Sequence, residues 1–354
     1  MTTEPPRAVP FTGWVLRTRS GAVSLRLHPR VLLVGLALVA GVLVVSALTL
    51  TTGDYPAPLP DVVRTLFGDG PPGLELVMNR FRVPRLLLAL GVGAALGAAG
   101  TIFQSVSRNP LGSPDVIGFT TGSATGAILV LLVYQDASVG VATGALVGGL
   151  VAAVLVYLLA YRRGVQGFRL ILVGIGVSSI LAAVNTYLLS RASMQDARNA
   201  QLWLLGSLNG RGWPQVTPLW TALAVLLPVA LALGGRMAML EMGDDAARAR
   251  GVPAEKSRLM LVLTGVALTG VATAAAGPIA FIALAAPQVA RRLVRSAGPS
   301  VLLAALTGAL LLAAADLAGQ RLFGPVQLPV GLTSGAVGGV YLMWLLTRQW
   351  RETR

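Results

Sequence analysis

Residues 31–50 read VLLVGLALVAGVLVVSALTL, a run without a single ionisable side chain. A helix that crosses a bilayer needs about 20 mostly apolar residues, because lipid offers no partner to an unpaired backbone amide. The apolar core of a secretory leader is shorter, about 7–15 residues. No small-residue cleavage site is evident here, so the run reads as a first transmembrane helix. Further runs of this kind follow at 84–104, 115–133, 139–161, 168–190, 217–235, 258–276, 279–293, 300–318 and 329–347. The stretch 258–293 is interrupted only by Gly277-Pro278, and it reads either as two spans or as one kinked helix with a half-helix. The expected fold class is all-α: a polytopic membrane helix bundle of about ten transmembrane helices.

Composition agrees. Hydrophobic residues make up 55% of the chain and charged residues 12%, against about 25% charged in a soluble domain. With no cysteine there is no disulfide, thiolate metal site or cysteine nucleophile. The net charge of +14 is spread over the segments between spans. No basic surface is interleaved with stacking aromatics, so a nucleic-acid partner is not expected.

Basic residues orient the bundle, since Lys and Arg collect on the cytoplasmic side. With the N-terminus inside, 20 of the 28 fall in inner segments and 8 in outer ones, which favours cytoplasmic termini and an even number of spans. Residues 1–30 form a basic cytoplasmic N-terminal extension, 31–347 the membrane domain and 348–354 a cytoplasmic tail. Two outer segments are long: proline-rich 51–83, and 191–216, whose Trp203 and Trp213 read as interfacial anchors or as part of a docking face. The long inner segment, 236–257, is the most polar part of the chain. Within it Gly243–Arg250 places two aspartates before its arginines, which suits the dipole of a short helix. Glycines recur at four-residue spacing, as in Gly93/Gly97, Gly140/Gly144/Gly148 and Gly331/Gly335/Gly339; this allows close helix packing and does not by itself make a ligand site.

Motifs of catalysis are missing. The lone histidine, His28, lies in the basic extension, and neither HExxH nor a phosphate-binding GxxxxGKS loop occurs. Glycine-rich 91–100 sits inside a span, not after a strand. Asp316 is the clearest charge within a span and reads as a partner of Arg321 or as a helix-end anchor. Arg82 and Arg85 flank Pro84 at the expected outer start of the second span. A proline suits a first turn, whereas cations there oppose the helix dipole. The pair reads equally as a contact for lipid headgroups or for an acidic partner.

Four segments together resemble the permease family of bacterial ABC importers for ferric siderophores and cobalamin, the FecCD/BtuC type. They are RVPRLLLALGVGAALGAAGTIFQSVSRNPLGSPDVIGFTTG (82–122), MGDDAARARGV (242–252), AGPIAFIALAAPQVARRL (276–293) and AADLAGQRLFGPVQLPVGLTSGAVGGVYLMWLL (314–346). Their order and spacing match from about residue 30 onward. The variants PQVARRL and QLPVG look more like ferric-enterobactin-type permeases than the cobalamin type.

The resemblance implies a ten-helix permease in the cell membrane, paired with a second permease subunit, here a paralogue. A cytoplasmic ABC ATPase dimer powers the pair, and an extracytoplasmic siderophore-binding protein delivers the ferric siderophore. It implies alternating access with no chemistry on the cargo, no cofactor, and ATP hydrolysis in a separate subunit. By motif, Arg82 and Arg85 match the arginines that hold acidic residues of the binding protein. The third such position is Gln320, and its neighbour Arg321 takes the role. The ATPase-coupling segment corresponds to Gly243, Asp244, Asp245, Ala247, Arg248, Arg250 and Gly251, with Arg250 where the family often has leucine. A cobalamin or haem importer of the same family is the nearest alternative. An ion-coupled secondary transporter is the alternative of another class; scarce intramembrane charge argues against proton coupling, while sodium could use backbone carbonyls. An intramembrane enzyme lacks a catalytic constellation, and a scaffold leaves the matched motifs unexplained.

Overall fold

A computed structural model describes residues 14–17, 24–53, 55–134, 140–161, 167–295, 298–322 and 327–352. Apart from a short antiparallel hairpin in the extension, β1 (Trp14–Arg17) with β2 (Ser24–Leu27), the described elements are helical. The expected apolar runs carry α1 (Pro29–Thr51), α4 (Val83–Ser107), α5 (Pro114–Ile117) with α6 (Phe119–Leu129), α7 (Val141–Ala160), α8 (Gly167–Arg191), α10 (Trp213–Ala232), α13 (Ala254–Ala276), α14 (Ile282–Val294), α15 (Val301–Arg321) and α16 (Val330–Glu352). Short helices fill the long connections: α2 (Leu59–Leu66), α3 (Pro72–Val77), α9 (Met194–Leu204), α11 (Gly234–Glu241) and α12 (Asp244–Ala249). By length and apolarity, 7 helices among the described residues can cross a membrane.

The α4 helix is the hub. It packs against α10, α13, α14 and α15, and its apolar window is 83% buried, whereas that of α1 is only 6% buried. Apolarity does not single α4 out, since α1 is at least as apolar and lies at the edge; small residues along α4 let its neighbours approach. A Cβ at Gly93 would collide with the carbonyl of Gly308 on α15, and one at Gly100 with that of Ala283 on α14. The same device joins α6 to α7 through Gly122, Gly126, Gly144 and Gly148. The spacing seen in sequence therefore marks helix packing at Gly93/Gly97 and Gly144/Gly148. Gly335 and Gly339 meet open space, and Gly140 touches only Thr143. Gly93→Leu should cost at least the 1–3 kcal/mol, roughly, of an overpacked core, read as a fall in the detergent unfolding temperature. Gly176→Leu on α8, where nothing stands within 4 Å, should change stability by about 0.5 kcal/mol or less.

The second span departs from expectation. It does not begin at Pro84: the helix starts at Pro72 and runs without a break to Ser107. A proline inside a helix lacks the N–H donor and crowds the carbonyl four residues back. Here the backbone widens into a π-helical turn over Met78–Arg82, where Val83 N–H reaches Met78 O five residues back. The indole of Trp213 donates to Asn79 O within that turn at 2.8 Å. Trp213 thus braces the widened turn, a task that neither sequence reading gave it.

The stretch 258–293 resolves into full-length α13 and the 13-residue α14. At 1.5 Å per residue α14 is about 20 Å long, short of a full crossing. Phe281, at φ 69°, turns the chain into it. Asp115, a carboxylate within an expected apolar run, accepts from Thr120 Oγ1 at 2.6 Å.

Candidate functional site

Two clusters stand out, one at each end of α4. At the end the charge bias assigns to the outside, a cavity of about 480 Å³ is lined by Arg82, Arg85 and Arg321 together with Tyr55, Asn209, Gln320 and Gln327. The cavity thus brings together all three arginines singled out in the sequence. They are not equivalent. Arg82 donates to Leu50 O at 2.6 Å and to Tyr55 O, so it sits at the C-terminal end of α1. A cation is favourable there, and because its own helix begins at Pro72, no helix N-terminus opposes it.

Arg85 makes a two-pronged ion pair with Asp316 on α15, Nε to Oδ2 and Nη2 to Oδ1 both at 2.9 Å. Its Nη1 reaches Gln327 Oε1 at 3.1 Å. The side chains of Arg85 and Asp316 are 14% and 3% exposed. Gln320 also donates to Asp316, at 2.7 Å. The expected Asp316–Arg321 pairing is therefore corrected: Asp316 is held by Arg85 and Gln320, and Arg321 is exposed at the end of α15. The geometric reason is that Gln320 stands one turn beyond Asp316 on the same face, and Arg321 one residue further round.

At the other end of α4 lies α12. Gly243 precedes it with φ 113° and Gly251 follows it with φ 78°. Asp244 and Asp245 occupy its first turn and Arg248 its last, the order its dipole favours. The seven residues assigned to this segment sort by direction. Ala247 is buried and Asp244 faces inward, accepting from Arg258 Nη2 at 2.8 and 3.0 Å and from Arg108 Nη2. Asp245, Arg248 and Arg250 face outward, with Arg250 against the sulfurs of Met239 and Met242. A cavity of about 600 Å³ opens beside the helix.

Burial pushes the Asp244 carboxyl up, but the hydrogen bond and charge of Arg258, with the charge of Arg108, outweigh it and hold the group below its ordinary value. A lowered carboxyl lends stability that is complete above its unfolded pKa, about 3.9, and is lost as pH falls through the folded value. Hydrogen-exchange protection of α12 should therefore be unchanged between about pH 7 and 5 and fade below about pH 4.

Sequence reasoning overlooked several of these groups. Asp115 is a carboxylate within an apolar run, a visible warning. Arg108 and Glu241 are bridging charges whose partners lie far along the chain, while Arg258 pairs with the nearby Glu255 and Asp244. Among the described residues no cluster of three or more His, Cys, Asp or Glu could hold a metal ion.

Comparison with known proteins places this architecture. The chain is 47% identical over 323 residues to the ferric enterobactin transport system permease protein FepG of Escherichia coli, covering 91% of this chain and 98% of that protein. It is 37% identical over 294 residues to the achromobactin transport system permease protein CbrC of Dickeya dadantii, covering 82% and 84%. In fold it is similar to a solved chain of an inward-facing metal-chelate type ABC transporter, with TM-score 0.81, 24% identity, and 89% and 99% of the two chains covered. The FecCD transport family model matches residues 41–348, which takes in both charged clusters and the helix that joins them, and the chain belongs to that family.

Proposed function

We propose that this protein is the membrane permease of an ATP-driven importer that passes a ferric siderophore by alternating access, without chemistry on the cargo. The observation that carries the reading is the near full-length match to a ferric enterobactin permease. The described geometry suits it. An arginine-lined cavity at one end offers a receptor for acidic groups of an extracytoplasmic binding protein, with Arg321 the most accessible of the three. At the other end α12 projects Asp245, Arg248 and Arg250 toward a cytoplasmic ATPase dimer, while Asp244 anchors it.

In this reading both termini are cytoplasmic in the cell membrane. Residues 1–30 precede the permease domain 31–347, which contains the coupling segment 236–257, and 348–354 form a tail. A second permease subunit, a paralogue, completes the pathway. Affinity resides in the binding protein, and the permease wall carries the cargo without trapping it. A strain lacking this protein should lose uptake of radio-iron-labelled ferric enterobactin and recover it on complementation. Unchanged uptake of every siderophore tested would overturn the reading.

A further inference from the structure

Between the coupling segment and the rest of the bundle lies an ionic joint centred on Glu241, one residue before the matched stretch 242–252. Glu241, the last residue of α11, accepts from Ser105 Oγ on α4 at 2.7 Å and from Arg291 Nη2 on α14 at 2.8 Å. One turn later the chain enters α12. The last turn of α4 holds α14 a second time: Gln104 donates to Leu284 O at 3.0 Å and accepts from Gln288 at 2.8 Å.

At its other end α14 is free of any continuing helix. Residues 277–280 are non-helical, and the positive-φ turn at Phe281 separates α14 from α13, so the two do not move as one continuous helix. That end rests on α16. Ser334 Oγ donates to Ala280 O at 3.4 Å, and the Phe281 side chain sits where a Cβ on Gly338 would be. Beyond this contact Val337 of α16 is 54% exposed.

We propose that α14 is a lever and that Glu241 is the positioning residue at its joint: a displacement of α11–α12 is passed through the Glu241–Arg291 pair to α14, and through Phe281 to α16. The inference rests on the importer reading, since it needs an ATPase to move α12. Contacts to α4 run the length of α14, from Ala283 against Gly100 to Gln288 against Gln104, so a push at Arg291 carries the short helix, and Phe281 before it, as one body.

Because the chain has no cysteine, a Val337→Cys substitution gives a reporter unique within this chain, and its labelling is read on the separated permease band. The permease–ATPase complex bearing it is reconstituted in nanodiscs and labelled with a maleimide, without nucleotide and after trapping with ATP and vanadate. Trapping should change the labelling rate at least fivefold. Glu241→Arg should abolish that change with the ATPase still bound, Glu241→Gln should reduce it, and the swap Glu241→Arg with Arg291→Glu should restore it. A reporter that does not respond in the otherwise unaltered protein, one that responds equally in Glu241→Arg, or a swap that restores nothing would overturn the joint while leaving the importer reading in place. If no ATPase co-purifies with the unaltered chain, the importer reading fails and the joint falls with it. Rescue by the swap separates transmission from a general loss of fold, because two separately damaging changes would add.

Discussion

Arg85→Ala should destabilise the folded chain by about 3–5 kcal/mol, the range for breaking a buried ion pair by removing one partner. Asp316 is 3% exposed and keeps only the Gln320 amide among the described contacts once the guanidinium is gone. Asp316→Asn should behave similarly, leaving a largely buried guanidinium without its carboxylate. Replacing both by apolar residues, Arg85→Met with Asp316→Leu, should recover most of the loss. Thermal unfolding in detergent and abundance in membranes are the measurements. If Arg85→Ala leaves both unchanged and weakens only association of the binding protein, Arg85 is a docking residue first and the ion pair is incidental. Arg321→Glu should spare stability and weaken that association, more strongly at low salt.

The second large effect concerns α12. Gly243 has φ 113° and ψ 155°, a backbone region that essentially only glycine occupies, and Gly251 has φ 78°. Nothing stands within 4 Å of a Cβ at either site, so a substitution acts through the backbone alone. Gly243→Val with Gly251→Val should cost about 1–3 kcal/mol at each position. That is enough to lower ATPase co-purification more than tenfold, since about 1.4 kcal/mol is one decade. The spans lie outside the affected turns, so membrane insertion and the detergent unfolding temperature should hold. Co-purification that survives would remove α12 from the coupling role.

Much of the helical plan was legible in the sequence, because long apolar runs have few alternatives in lipid. The polarity of α12 was legible too, since Asp-Asp early and Arg late is a local pattern. What escaped was long-range. Pro84 gives the local signature of a helix start, and only the π turn, braced by Trp213 from 134 residues away, shows it to be interior. Asp316 had an arginine five residues on, yet its partner is Arg85, 231 residues back. Asp244 and Asp245 are indistinguishable in composition. Which of them anchors and which projects is decided by Arg258 and Arg108, on α13 and at the end of α4. Asp115 was noticeable as a charge in an apolar run, and its partner Thr120 lies only five residues on.

The central claim is that the chain conducts cargo on power supplied by a separate ATPase. Vesicles holding the permease pair and its ATPase, with ATP on the ATPase side, the binding protein outside and no ion gradient, test it most directly. Accumulation of radio-iron-labelled ferric enterobactin that stops when ATP or the binding protein is withheld is the predicted result. Accumulation driven by a proton or sodium gradient, and indifferent to ATP, would contradict it.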